Sequence, residues 1–88
     1  MAVPFFMEKI LLGAAELGAL QALIHTGQVK PYLKKSEAFR LYGRKRVEKW
    51  TAEGLIKIRK DGDYSAAWRI DRMEIATLAK TIELLSYL

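Results

Sequence analysis

The chain has 88 residues, 51% of them hydrophobic, with 15 Lys and Arg against 10 Asp and Glu for a formal charge of +5. That length makes one domain, able to bury only about 60 to 65% of its unfolded surface. With no cysteine and a single histidine, His25, it excludes disulfide staples and the usual zinc and iron–sulfur sites.

Pro4 stands at a helix start, and Phe5 to about Ile24 are strong helix formers apart from Gly13 and Gly18, stopping before Thr26-Gly27. The apolar run from Ile10 to Leu23 is too short to span a bilayer and is broken by Glu16 and Gln21; no basic leader precedes Lys9. A soluble, cytoplasmic protein with no membrane partner is therefore expected. Phe6, Ile10, Gly13, Leu17, Leu20 and Ile24 recur at spacings of 4, 3, 4, 3 and 4. Ala14, Gly18 and Ala22 add a small-residue stripe, and Leu11, Leu12 and Leu23 widen the apolar surface. A domain this small has little interior in which to hide such a helix. Burial of the helix on two sides is expected, one against its own domain and one against a partner chain in a homodimer or higher homo-oligomer, through Phe6, Ile10, Leu17, Gly18, Leu20 and Ile24; the alternative is a purely intramolecular core helix.

Gln28 to Leu33, with Pro31, predicts a short extended connector. Ser36 is placed to cap a helix running through Tyr42, Gly43 breaks it, and a second short helix fits Arg44 to Glu53 with Gly54 as its C-terminal stop. Two short helices about a glycine make a helix-turn-helix pattern. Ile56 and Ile58 then alternate with Lys57 and Arg59, and Trp68 and Ile70 with Ala67 and Arg69, around the turn residues Asp61-Gly62-Asp63. This predicts a β-hairpin. Asp71 caps a final helix, Glu74 supplies the acidic member of a capping box, and Ile75, Leu78, Ala79, Ile82 and Leu85 give one apolar face. The expected fold class is mainly α with a small β-hairpin: an N-terminal oligomerisation helix over 1–29, and a second part over 30–88, in one compact unit.

Charge is partitioned along the chain. Residues 1–29 carry −1 and residues 61–88 carry −2, whereas residues 30–60 hold eleven cations against Glu37, Glu48 and Glu53, for +8. Aromatic and aliphatic residues thread this stretch, so it folds, and a folded surface of that charge suits a polyanion, nucleic acid first.

The runs YLKKSEAFRLYG, RKRVEKWTAEGLI and RIDRMEIATL, with the basic hairpin between the last two, make residues 32–78 resemble the excisionase-like branch of the MerR-type winged helix-turn-helix proteins. The resemblance implies a scanning helix, a recognition helix ending in a glycine and an aliphatic pair, a wing, and a helix after the wing. It further implies binding of double-stranded DNA by a nucleoid-associated protein. The role is transcriptional control or site-specific recombination beside an integrase or recombinase.

On a helical wheel Val47 and Trp50 mark the buried face of the second short helix, which turns Arg44, Lys45, Glu48 and Lys49 toward the bases. Arg and Lys suit the guanine acceptors, and Glu48 can accept from a cytosine amine. Glu48 equally fits an i to i+4 pair with Arg44. Lys34, Lys35, Arg40 and Arg46 are assigned to phosphates. In the hairpin Ile56, Ile58, Trp68 and Ile70 form the inward set, leaving Lys57, Arg59 and Arg69 on the outer face and Lys60 near the tip, a wing that meets phosphate through its flanks. Trp50 and Trp68 could serve as base-stacking platforms for a single strand, but both fall on the inward side of their elements and are expected in the core. No Gly-Lys-Ser or Gly-Lys-Thr step exists, His25 has no second histidine, and Asp61-Gly62-Asp63 has Arg72 where a calcium loop needs Glu, so neither catalysis nor a cofactor is expected. The rival reading is an assembly module whose apolar helix docks another protein and whose basic face binds an acidic partner.

Overall fold

The computed structural model describes residues 4–60 and 68–87, Lys60 through its backbone alone. Elements follow in the order α1 (Phe5–His25), β1 (Tyr32–Leu33), α2 (Lys35–Tyr42), α3 (Arg44–Ala52), β2 (Ile58–Lys60), β3 (Trp68–Asp71) and α4 (Arg72–Leu85). The protein is mainly helical with a small antiparallel sheet.

The connector over residues 28–33 does more than connect. Tyr32 and Leu33 pair with Asp71 and Ile70, which makes β1 an outer strand of a three-stranded sheet ordered β1-β3-β2. Arg72 fastens this edge, its backbone N–H donating to the Pro31 carbonyl at 2.9 Å and its Nε to the Lys30 carbonyl at 2.8 Å. A two-residue strand is too short to show alternation, which is why only its extended character was predictable. On the other side of β3, Ile58 lies opposite Ile70 and Arg59 opposite Arg69. The Asp61-Gly62-Asp63 turn and the alternation at Ala67 lie outside the described residues.

Three boundary expectations are corrected. Helix α2 begins before Ser36: Lys34 occupies the N-cap, and its N–H donates to Glu37 Oε1 at 3.2 Å, so the side-chain bond across the first turn comes from Glu37 and not from the Ser36 hydroxyl. Asp71 caps α4 as expected, accepting from the Glu74 N–H at 3.1 Å, but Glu74 does not reciprocate. Its Oε1 accepts instead from the Lys57 N–H at 2.7 Å, which ties the approach to β2 onto the first turn of α4. In α4 Ile75 is buried and Leu78, Ala79 and Ile82 are half-buried, yet Leu85 is 57% exposed, because the last turn meets α1 through Leu84 and Tyr87. Replacing Asp71 with Ala should cost about 0.5 to 2 kcal/mol of stability, read by urea denaturation.

Gly43 alone separates α2 from α3. Its φ of 92° and ψ of 136° belong to a region closed to residues with a Cβ, so a two-helix corner is made with a single residue. Gly43→Ala should therefore cost about 1 to 3 kcal/mol even though open space surrounds the position. Helix α3 ends in a Schellman arrangement at Gly54, with the Leu55 N–H on the Trp50 carbonyl at 2.9 Å and the Gly54 N–H on the Thr51 carbonyl at 3.1 Å.

The core gathers Leu33, Ala38, Val47, Trp50, Ile56, Ile70 and Ile75, one or more from each of β1, α2, α3, β3 and α4. Helix α1 lies against α4 instead. Gly13 is buried there, and a Cβ would meet Lys80 Cδ at 3.6 Å and Leu84 Cδ1 at 3.8 Å. Lys80 Nζ bridges Glu16 of α1 and Glu83 of its own helix, the latter at 3.2 Å. The bonds to Glu16 and Glu83 hold the ammonium above its ordinary 10.5, so whatever this bridge contributes is present at neutral pH and is lost only as pH rises through that raised value. Phe5 stands edge-on to Tyr87 with centroids 5.4 Å apart, and the Lys9 ammonium lies over both rings.

This docking supplies the side of α1 expected to pack within its own domain. The stripe of Phe6, Ile10, Leu17, Leu20 and Ile24, expected to meet a partner chain, is half-buried on the side turned to α4, because α4 presents an apolar stripe of its own. Of the residues expected at an oligomer interface, Gly18 lies on the open side, where a Cβ would meet nothing within 4 Å.

Candidate nucleic-acid interface

Helix α3 is held to the core by Val47, fully buried, and by Trp50, whose ring lies 6.1 Å from Tyr42. Burial raises the Tyr42 phenol above its usual 10.0, and the cations of Arg72 and Lys80 oppose that shift. With those two positions inward, Arg44, Lys45, Arg46, Glu48 and Lys49 are all exposed. The predicted base-reading set therefore does share the solvent side of one helix. Glu48 takes its pairing role, its Oε1 lying 2.9 Å from Arg44 Nε. Both side chains are well exposed, so the bridge is worth a few tenths of a kcal/mol, ~0.3 to 0.5, and is easily exchanged for another contact. Among the described residues Lys45 and Lys49 make no ion pair or hydrogen bond.

The cations assigned to phosphate divide into two groups. Lys35 of α2 and Arg44 of α3 meet around one ring, with Lys35 Nζ 5.7 Å and Arg44 Cζ 5.8 Å from the Phe39 centroid. Lys35 also lies 4.3 Å from the centroid of a Trp68 ring, which brings β3 to the same surface. On the sheet, Arg59 and Arg69 are exposed and directly opposed, and Arg69 Cζ sits 5.2 Å over Tyr32. Lys34, Arg40 and Lys57 are exposed as well. Arg46 goes elsewhere: it lines a cleft of about 610 Å³ between α1, α3 and α4, in company with Glu16 and Glu83. The side chain of Lys60 lies outside the described residues.

Trp68 meets its expectation in part, packed against the core but half-buried. Trp50 is 5% exposed and belongs to the core, but Trp68 is half-buried. Its ring packs edge-on to Phe39, centroids 6.2 Å apart, and lines an open groove of about 760 Å³ between β1, β3 and α2. Strand alternation placed it on the inward side correctly. The inward side of β3 runs past the end of the core, so the same face that buries Ile70 leaves Trp68 at the groove. Tyr32, Phe39 and Lys30 complete this surface and were missed, because aromatic residues scattered over three elements have no common spacing.

Among the described residues no group of three or more metal-ligating side chains occurs, and no helix is long and apolar enough to cross a membrane. No protein-family model, no curated protein and no solved structure matches the chain.

Proposed function

We propose that the chain is a winged helix-turn-helix protein that binds double-stranded DNA, acting as a small transcriptional regulator or as an excisionase-type recombination factor beside an integrase. Helix α3 enters the major groove, and the strands β2 and β3 form the wing against the adjacent backbone. The observation that carries this reading is the exposed cationic side of α3, where Lys45 and Lys49 project beside Arg44 while Val47 and Trp50 anchor the helix behind them. The opposed pair Arg59 and Arg69 concentrates charge where a phosphate backbone would run.

The two kinds of contact separate by substitution. Replacing Lys45 or Lys49 with Gln should lower the preference for a target duplex by about 1 to 3 kcal/mol at one base position, whereas Arg59→Gln should weaken all duplexes alike and reduce the salt slope by about one. Fluorescence anisotropy with a randomised duplex pool and its selected target checks both. Equal losses at every position, or no binding of either duplex, would remove the reading.

Self-association belongs to the same proposal, now through the side of α1 turned away from α4. Leu11, Ala15, Gly18 and Ala22 recur there at spacings of 4, 3 and 4, all exposed. Small side chains let a second helix approach closely, and a two-fold dimer implies half-sites about 34 Å apart. Light scattering at micromolar concentration should give twice the monomer mass, reduced to the monomer by Gly18→Phe. A folded wild-type monomer would leave a single half-site as the target.

A further inference from the structure

We infer that the groove between β1, β3 and α2 binds an unpaired strand of nucleic acid, its bases lying on Tyr32, Phe39 and Trp68 and its phosphates on the cations of the rim. The groove's volume of about 760 Å³ falls within the range that holds organic ligands. Its chemistry is of two kinds. Tyr32, Phe39 and Trp68, half-buried and from three different elements, line it, Phe39 and Trp68 edge-on to each other and Tyr32 beneath Arg69. Lys30, Lys34, Lys35 and Arg69 surround them, and among the described residues of the lining the acid is Glu37, whose carboxylate already accepts the Lys34 N–H. Aromatic faces among cations are what a single strand needs, since every base has a π-face and every linkage a charge. A duplex keeps its base faces stacked inside and would touch only the rim, and an acidic peptide would use the charges without the rings.

Lys35 makes the site adjustable. Its ammonium rests 4.3 Å from the Trp68 ring centroid, a contact weaker than a charge-assisted bond to phosphate. A phosphate arriving at the rim would draw the ammonium off the ring and free that face for a base. The inference does not rest on the duplex reading, because the rings that carry it lie apart from Lys45 and Lys49.

The experiment uses the full chain and fluorescein-labelled oligothymidylate of twelve nucleotides, with an abasic oligomer of equal length and polyglutamate as comparators, followed by anisotropy. Oligothymidylate should bind at least about tenfold tighter than the abasic strand, and Tyr32→Leu and Phe39→Leu should each weaken oligothymidylate binding by about tenfold. Tyr32 lies outside the core cluster, so its variant keeps the fold, and circular dichroism verifies this for both. Equal affinity for the abasic strand, displacement of oligothymidylate by polyglutamate as readily as of the abasic strand, or an unchanged affinity in Tyr32→Leu would each overturn the inference. Duplex binding without oligothymidylate binding would sink this inference alone, and the converse would sink the duplex reading alone.

Discussion

Raising the salt concentration from 50 to 200 mM should weaken duplex binding by about two to three orders of magnitude. The expectation follows from counterion release: each phosphate neutralised contributes a slope of about −0.9 in log K against log salt, and about 4 to 6 contacts per protomer are within reach of this surface. Lys34 and Lys35 at the start of α2, Arg40 farther along it, Lys57 before β2, and Arg59 and Arg69 on the sheet supply that number. Arg46 is left out of the count because it lies on the cleft toward α1 with Glu16 and Glu83. Anisotropy titrations at four salt concentrations give the slope directly, and a flat dependence would remove nucleic acid as the partner. The position of Arg46 adds an internal check: Arg46→Gln should leave the slope unchanged where Arg59→Gln lowers it.

The second large effect is on stability. Trp50→Ala should cost about 3 to 5 kcal/mol, a typical figure for deleting a buried aromatic side chain. An 88-residue domain has about 4 to 13 kcal/mol in total at the usual stability per residue. The loss is about a quarter or more of that total, so the urea midpoint of the variant should fall sharply. Trp50 is 5% exposed, packs beside Tyr42, and belongs to the cluster that joins α3 to β1, β3 and α4. Leu55, a few residues on, is 48% exposed, and Leu55→Ala should change stability by no more than about 0.5 kcal/mol. Urea denaturation followed by far-ultraviolet circular dichroism separates them. Equal losses would mean that the burial assigned to α3 is misplaced.

The sequence by itself determined every element that repeats a pattern over enough residues. The four helices, the corner at Gly43, the stop at Gly54, the Asp71 cap, the antiparallel pairing of residues 58–60 with 68–70, and the solvent side of α3 were all legible, because each is set by neighbours a few positions away. Periodicity and capping are local physics, and local physics is written in local sequence.

What the tertiary structure decided are the relations between elements. Two residues at 32 and 33 became a strand only because β3 offered an edge and Arg72 fastened the connector to it. Glu74 turned from the Asp71 backbone to Lys57, seventeen residues away. The apolar stripe of α1 was evident, but whether its partner was another chain or α4 depended on where α4 lay, since a hydrophobic face carries no address: burial is non-directional and rewards any apolar surface that reaches it. The same holds for the groove. Tyr32, Phe39 and Trp68 stand on three elements with no shared spacing, and only packing brought Phe39 and Trp68 together under Lys35 and Tyr32 beneath Arg69.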